Sequence, residues 1–232
     1  MNYNKKKDFA MSLTDQNFKE IKYIRKGEKT LKTILKAAID MASVNGLEGI
    51  SIGGLANHIG MSKSGLFAHF GSKEGLQLAI IDAARKLFYK EVIAPARKED
   101  PGIIRLWKFF NNWLLYLERN GFKGGCFFAA VSYEFDSRPG PVRDKIAYSM
   151  EAWKNTLKRE VERAQQKNQI KKEVDPSQFA FEIMALAMGA NLSFQLHNNT
   201  QACNQARIAI LERLEKEKDI DAPGLPSSKS YM

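Results

Sequence analysis

Small, polar and basic side chains cluster within residues 51–73, which run SIGGLANHIGMSKSGLFAHFGSK. Lys63 can donate to O6 or N7 of guanine, the commonest specific contact in the major groove of DNA. Lys73 stands at a predicted helix start, where its ammonium and free backbone N–H groups can bind the same phosphate. Gly65 costs a helix about 1 kcal/mol relative to alanine, which a close approach to DNA or a tight helix crossing would explain. These residues indicate nucleic-acid binding.

Two short helices must position these side chains. The first has one apolar stripe at helical spacing, formed by Ile52, Leu55, Ala56 and Ile59. Gly60 ends this helix in the left-handed conformation, and Ser62 is placed to cap the next one. The second helix, residues 63–70, buries only Leu66 and Phe70 by its spacing, so its small and polar face is free to dock on something. This arrangement predicts a helix-turn-helix, whose second helix fits the major groove.

A longer amphipathic helix precedes the motif and must cover its apolar side. Over residues 28–45 apolar side chains recur with helical spacing at Leu31, Ile34, Leu35, Ala38 and Ala42. Gly46 closes the helix. The three helices together predict a small DNA-binding domain over residues 28–75.

Residues 30–79 resemble the DNA-binding domain of the TetR family of transcriptional regulators. The resemblance rests on a helix ending in NG, a serine before IxxLA, and the run GMSKSGLFAHFGSKEGL. Spacing and residue types agree across three helices, whereas the rest of the chain resembles the family only in length and helical character. The resemblance implies an all-α fold and a dimeric regulator of transcription, most often a repressor.

The resemblance also implies individual roles for residues. The positions that face base edges in the family are Lys63, Ser64, Gly65 and Ala68. The positions that touch the phosphate backbone are Phe67, His69 and Lys73, often joined by Ser51. The chain departs from the family at Phe67, where tyrosine is usual, and at Gly53 and Gly54, where polar or basic residues are common. From the residues alone, His69 is also compatible with a surface histidine that has no partner. Phe67 is also compatible with a side chain that is partly buried in the core.

A basic excess is concentrated near the start of the chain. The 232 residues include 36 Lys and Arg against 26 Asp and Glu, giving a net charge of +10. The first 75 residues hold 12 basic and 7 acidic side chains, which is half of that excess. Such a balance favours an anionic partner, either nucleic acid or a membrane surface. Residues 1–27 are either a solvated tail or a basic arm that adds phosphate or minor-groove contacts.

The sequence shows no residue set typical of an enzyme or a metal site. Cys126 and Cys203 lie far apart without metal-ligand spacing, and so do the three histidines. No glycine-rich phosphate loop follows a strand pattern, so we predict no catalytic residues, metal or cofactor. The basic start lacks the apolar run of a secretory signal, and the cysteine usage suits a reducing cytoplasm. An enzyme and a membrane-surface protein are kept as alternative hypotheses.

Helical patterns cover the rest of the chain at residues 73–94, 101–120, 126–135, 142–169, 179–196 and 204–216. The first of these segments would join the DNA-binding domain (the head) to the rest of the helical chain (the body). Its predicted inward residues are Leu76, Ile80, Ala83, Ala84 and Leu87. Residues 126–135 fit a strand or a helix, and we predict a helix because no partner strand exists. Residues 76–218 are predicted to form a ligand-binding and dimerisation domain, and residues 219–232 a flexible tail.

Residues 179–196 are apolar nearly all round. Glu182, Asn191 and Gln195 interrupt the run, which is shorter than the roughly 20 apolar residues of a membrane span. A helix buried on two sides therefore fits better, with one side against its own body and the other against a second copy. The resemblance agrees, because TetR-like proteins dimerise through their last two long helices. Two recognition helices about 34–36 Å apart would read a palindrome.

Aromatic side chains crowd the helices between residues 103 and 188 and are either ordinary core or the lining of a cavity. The family precedent is a cavity for a small apolar ligand. The predicted lining consists of Phe110, Trp113, Cys126, Trp153, Phe181 and Met184. Cys126 is a candidate redox or adduct sensor, or simply a small buried hydrophobe. The sequence thus predicts a cytoplasmic, homodimeric repressor released from a palindromic operator by a small apolar ligand.

Overall fold

The computed structural model describes residues 26–119 and 124–232. Most of the predicted basic arm, residues 1–25, lies outside them. The chain divides into two units between Ile34 and Leu35. The predicted all-α fold is confirmed. Its helices are α1 (Lys26–Asn45), α2 (Ile52–Ile59), α3 (Lys63–Phe70), α4 (Lys73–Phe88), α5 (Ile103–Glu118), α6 (Phe127–Phe135), α7 (Pro141–Gln166), α8 (Pro176–His197) and α9 (Ala202–Glu217).

α4 continues beyond Phe88 through a π-helical turn, Tyr89–Ile93, and one further turn, Ala94–Ala96. Pro95 has no N–H to continue the α-helical ladder, which accounts for the irregular end of this helix. α4 buries the predicted Leu76, Ile80 and Ala84 but differs from the prediction at its other inward positions. Ala83 and Leu87 are only half-buried, while Ile81 and Phe88 are buried, because the Phe88 ring enters an aromatic cluster with α5, α6 and α7.

The start of α5 is capped from α7 and the segment after it. The Gly102 N–H donates to Oε1 of Glu160 at 2.8 Å. The Ile103 N–H donates to Oε1 of Gln169 at 3.0 Å. The N-cap residue of α5 is Gly102, which has no side chain that could accept a hydrogen bond. These distant acceptors therefore satisfy two of the free N–H groups at the helix start.

Tyr231 contacts the C-terminal domain, within the stretch 219–232 for which the sequence predicts a flexible tail. Ser228–Tyr231 form a 3-10 turn. The Tyr231 ring lies 6.2 Å from the Trp107 ring, and the Arg207 guanidinium lies 5.5 Å from the Tyr231 ring centre. A single aromatic anchor of this kind is difficult to recognise in a stretch rich in serine and proline.

Candidate nucleic-acid interface

Serine caps define both helices of the predicted motif. Ser51 precedes α2, and its Oγ accepts from the Gly54 N–H at 3.0 Å. Gly60 ends α2 with a φ of +69°. Ser62 precedes α3, and its Oγ accepts from the Gly65 N–H at 3.1 Å. The predicted helix break and the cap at Ser62 are therefore confirmed by local hydrogen bonds.

The same Ser-x-x-Gly spacing occurs a third time, where Ser72 caps α4 and accepts from the Gly75 N–H. A Cβ at Gly65 would lie 3.0 Å from the Ser62 Oγ, tighter than an ordinary van der Waals contact. The glycine thus also has a local role, since it leaves room for the capping hydroxyl. The repeated Ser-x-x-Gly spacing is visible in the sequence and indicates this local role of Gly65, beside the close approach to DNA or the tight helix crossing expected above.

α3 buries little of its surface. Leu66 is fully buried and Phe70 is half-buried, whereas Phe67 keeps 52% of its surface exposed. The other predicted contact residues on this helix are exposed, except for the half-buried Gly65, and they are Lys63, Ser64, Ala68 and His69. Ser51 and Lys73 are exposed as well. This helix therefore presents a polar and basic face that no protein side chain covers within the described part of the chain.

Lys73 has a protein partner that sequence reasoning missed. Its Nζ lies 2.5 Å from Oε1 of Glu48, with both side chains nearly half exposed. Hydrogen bonds from Lys73 and then from Gln77 hold the pKa of the Glu48 carboxyl below its ordinary value. The carboxylate is therefore charged at neutral pH and offers the Lys73 ammonium an acceptor that a DNA phosphate would have to replace.

The six residues predicted to line one ligand pocket fall in two places. Trp113 and Trp153 lie edge to face at 5.8 Å in the aromatic cluster, while Phe110 and Cys126 are also buried in the body. Met184 is only half-buried, and Phe181 exposes 61% of its surface on the outer side of α8. Phe179 is the aromatic residue that α8 directs inward, being fully buried. The predicted lining is thus not assembled as one set, because α8 separates Phe181 from the core.

The aromatic cluster contains a buried polar group without a hydrogen-bond partner in the described part of the chain. The Phe88 ring contacts Trp153 at 5.1 Å and Trp113 at 5.9 Å, both edge to face. The Trp113 indole interacts with the Cys126 thiol, whereas the indole N–H of Trp153 is buried and makes no hydrogen bond within the described residues. Burying a donor without an acceptor costs free energy, so the Trp153 N–H would gain from an acceptor on a bound molecule.

Both cysteine thiols are protonated at neutral pH. Burial raises the pKa of Cys126, and it raises the pKa of Cys203 to about 11. Since the thiolate is the reactive form, we expect neither thiol to react with Ellman's reagent at pH 8 in the native protein, while both react in urea. Absorbance of the released thiolate measures this. Rapid reaction of one thiol in the native state, mapped to Cys126, would instead favour the sensor hypothesis.

A shallow groove of about 600 Å³ runs between α8 and α9. Its lining is mostly small and apolar and includes Ala185, Leu186, Gly189, Ala206 and Ala209. α8 is also the one helix in the described ranges that is long and apolar enough to cross a membrane, with 28% of its apolar window buried. Leu192 and Leu196 are more than half exposed, so a single chain leaves one side of the helix uncovered, and that is the side predicted to meet a second copy.

Two family models match the chain in succession. Residues 34–80 match the model described as bacterial regulatory proteins, tetR family, and residues 102–210 match the tetracyclin repressor-like C-terminal domain. The comparison with curated proteins gave no match.

Solved structures share the fold. A TetR transcriptional regulator from Chloroflexus aurantiacus is 23% identical over 85% of this chain and 100% of its own, with a TM-score of 0.78. A TetR-family regulator from Cytophaga hutchinsonii is 20% identical over 85% and 98%, with a TM-score of 0.74. AibR, solved with isovaleryl coenzyme A and operator DNA, is 22% identical over 80% and 98%, with a TM-score of 0.65. The chain belongs to the TetR family of transcriptional regulators and carries a helix-turn-helix DNA-binding domain followed by a helical C-terminal domain.

Proposed function

We propose that this protein is a homodimeric repressor that leaves a palindromic operator when a small apolar ligand binds its body. The observation that carries the proposal is the exposed face of α3, where Lys63, Ser64 and Ala68 stand clear of the protein core. A helix of eight residues that buries so little would add almost nothing to the fold unless it docked on a partner. In a helix-turn-helix that partner is the major groove.

The groove between α8 and α9 supports the homodimer. Gly189 lies in the middle of α8, where glycine costs about 1 kcal/mol relative to alanine. A Cβ built there would meet no neighbouring heavy atom of the described residues within 4 Å, so the fold of one chain does not require this glycine. A second copy of the helix packed closely against Gly189 would explain the choice of glycine. It would also cover the exposed Phe181 and Leu196 nearby.

The aromatic cluster supports the ligand. Its Phe88 ring belongs to the last turn of α4, and Lys73 opens the same helix. A molecule entering the cluster would displace this ring and shift α4, and it changes DNA affinity only if it binds the two arrangements differently. The unpaired indole N–H of Trp153 favours an apolar molecule that carries a hydrogen-bond acceptor. AibR, with a similar fold, was solved with an acyl-CoA and DNA together.

The same proposal assigns regions and location. Residues 28–75 would bind DNA, residues 76–218 would bind the ligand and the second protomer, and residues 1–27 would add contacts to DNA. Because the operator lies on the chromosome, we place the protein in the cytoplasm. Selection of bound duplexes from a random pool tests the core of the proposal, and a two-fold symmetric consensus is the expected result.

Two lysine variants separate base recognition from phosphate binding on the selected duplex. Lys63→Ala should lower discrimination at one base pair by about 1–3 kcal/mol, because a contact to guanine is lost. Lys73→Ala should weaken all duplexes alike and reduce the slope of log affinity against log salt by about 0.9. Gel shifts at several salt concentrations measure both effects.

Lys90→Ala is the matched control, since Lys90 is an exposed lysine that pairs with its neighbour Glu91. This variant should keep wild-type affinity, preference and salt slope. If Lys63→Ala and Lys73→Ala also behaved as the wild type, the assignment of α3 and the start of α4 to DNA would be wrong.

A further inference from the structure

The Glu134 carboxylate binds the turn between α1 and α2. Its Oε2 accepts from the Leu47 N–H and its Oε1 accepts from the Glu48 N–H, each at 2.7 Å. Both donors are backbone groups, so their positions follow the chain and not a mobile side chain. Hydrogen bonds to a charged acceptor are about twice as strong as neutral ones. α6, in the body, therefore holds the entrance of the helix-turn-helix by two directed bonds.

Gly46 makes room for this carboxylate. Its φ of +76° lies in the left-handed region, and a Cβ there would come within 2.8 Å of the Glu134 Oε1. Alanine would thus be strained by its backbone and would also push the carboxylate away. The glycine that closes α1 serves the contact with α6 as well as the helix end.

A second contact joins the same regions. The Gly124 N–H donates to the Ser43 Oγ at 3.2 Å. A Cβ at Gly124 would lie 1.7 Å from the Ser43 carbonyl oxygen, so the two backbones approach as closely as glycine allows. Two residues on, the Cys126 N–H donates to Oδ1 of Asn191 on α8 at 2.8 Å. Residues 124–126 are therefore held between α1 and α8.

The turn that Glu134 holds also reaches the proposed phosphate site. The Glu48 carboxylate accepts from the Lys73 ammonium at 2.5 Å and from the Gln77 amide at 3.1 Å. Gln77, which is 4% exposed, also donates to the Leu47 carbonyl at 3.1 Å. A displacement of the turn would move the partner of Lys73 with it.

We propose that Glu134 is a positioning residue that fixes the angle of the helix-turn-helix on the body. This inference rests on the proposed function, in which two heads read one palindrome. A head attached through α4 alone could pivot about that helix, and the Glu134 bonds remove this freedom. Two fixed heads lose less entropy when both half-sites are bound, and they reject half-sites at the wrong separation.

Glu134→Gln tests the inference, because an amide keeps one acceptor oxygen and turns an NH₂ group towards a backbone N–H. The probes are the selected palindrome and the same duplex with one or two base pairs inserted at its centre. We expect the variant to bind the palindrome about tenfold more weakly. The fold loss of affinity that the inserted pairs cause should be about ten times smaller than in the wild type. Base preference within each half-site should not change. A general loss of folding would instead weaken binding to both duplexes alike and leave the penalty for the inserted pairs unchanged.

Asp136→Asn is the matched control. It removes the same charge two residues away, at an exposed side chain, without touching the Leu47 or Glu48 N–H groups. This variant should keep the wild-type penalty. If Glu134→Gln fails to fold in a thermal melt, Ser43→Ala is the second variant. It removes the Gly124 contact and should also reduce the loss of affinity caused by the inserted base pairs.

Distance measurements test the inference without DNA. Spin labels on Asn57→Cys in α2 and Asp144→Cys in α7, in dimers with one labelled protomer, should show a broader distance distribution with Glu134→Gln. Both sites are exposed, and both native cysteines are buried. An unchanged distribution together with an unchanged spacing penalty would overturn the role of Glu134, as would an equal effect of Asp136→Asn. A wild type that selects no palindrome would instead refute the proposed function.

Discussion

Gly189→Arg is expected to separate the protomers and to lower affinity for the operator by at least about 100-fold, since the gain from binding two linked sites is lost. In one chain the new side chain extends into the open groove between α8 and α9, where the glycine has no close neighbour among the described residues. Helix propensity at this position improves by up to about 1 kcal/mol. In a dimer the guanidinium would be buried, and Glu182, the carboxylate among the groove-lining residues, is already paired with Arg213 at 2.9 Å, so the cost should exceed that gain.

Size-exclusion chromatography with light scattering measures the mass of this variant, and a gel shift measures its affinity. Ala147→Arg is the control, because Ala147 is an exposed small residue on α7 and lies outside the groove lining. It should remain dimeric with wild-type affinity. A Gly189→Arg protein that stays dimeric at micromolar concentration would show that the groove is not where the two copies meet.

Glu160→Ala is expected to lower the free energy of unfolding by about 3–5 kcal/mol, the range for removing one partner of a buried ion pair. The side chain is 1% exposed and accepts from the Gly102 N–H at 2.8 Å. Its other oxygen lies 3.1 Å from Arg163 and 3.9 Å from Arg105. The variant leaves a buried N–H without an acceptor, a cavity, and the guanidinium of Arg105 without its ion pair.

Urea unfolding at one fixed protein concentration measures this effect, since the stability of a dimer depends on concentration. Glu162→Ala is the control: Glu162 is two residues away on α7, and its pair with Lys158 is at the surface, at 3.8 Å. Surface pairs contribute about 0–1 kcal/mol, so its loss should be small. A loss below about 1 kcal/mol in Glu160→Ala would contradict a structural role for the buried carboxylate.

The DNA-binding motif could be predicted closely because its determinants are local. Ser62 caps the helix that it precedes, with a hydrogen bond that spans three residues. Gly60 ends α2 through its own backbone conformation. Such signals depend on neighbours in sequence, and local chemistry is the same whatever the rest of the chain does. The exposed face of α3 followed from the same spacing.

The buried sides of the body helices were less predictable, because apolar residues occur on more than one side of these helices. α8 is apolar on nearly every side, so no periodicity distinguishes the buried Phe179 from the exposed Phe181. Periodicity also missed part of the buried face of α4, where the Phe88 ring packs against aromatic neighbours on three other helices. Which side of an apolar helix is covered depends on the position of its neighbours, which the sequence does not state.

By itself, then, the sequence determined the helices, the cap at Ser62 and the polar face that points to DNA. Only the tertiary structure decided the polar contacts between distant segments. Glu134 lies 86 residues from Glu48, Glu160 lies 58 residues from Gly102, and Glu48 lies 25 residues from Lys73. A hydrogen bond across such separations leaves no periodic trace in the chain, because it depends on how packing brings two helices together. The apolar pattern fixes which helices form, and their packing selects the carboxylates that find a partner.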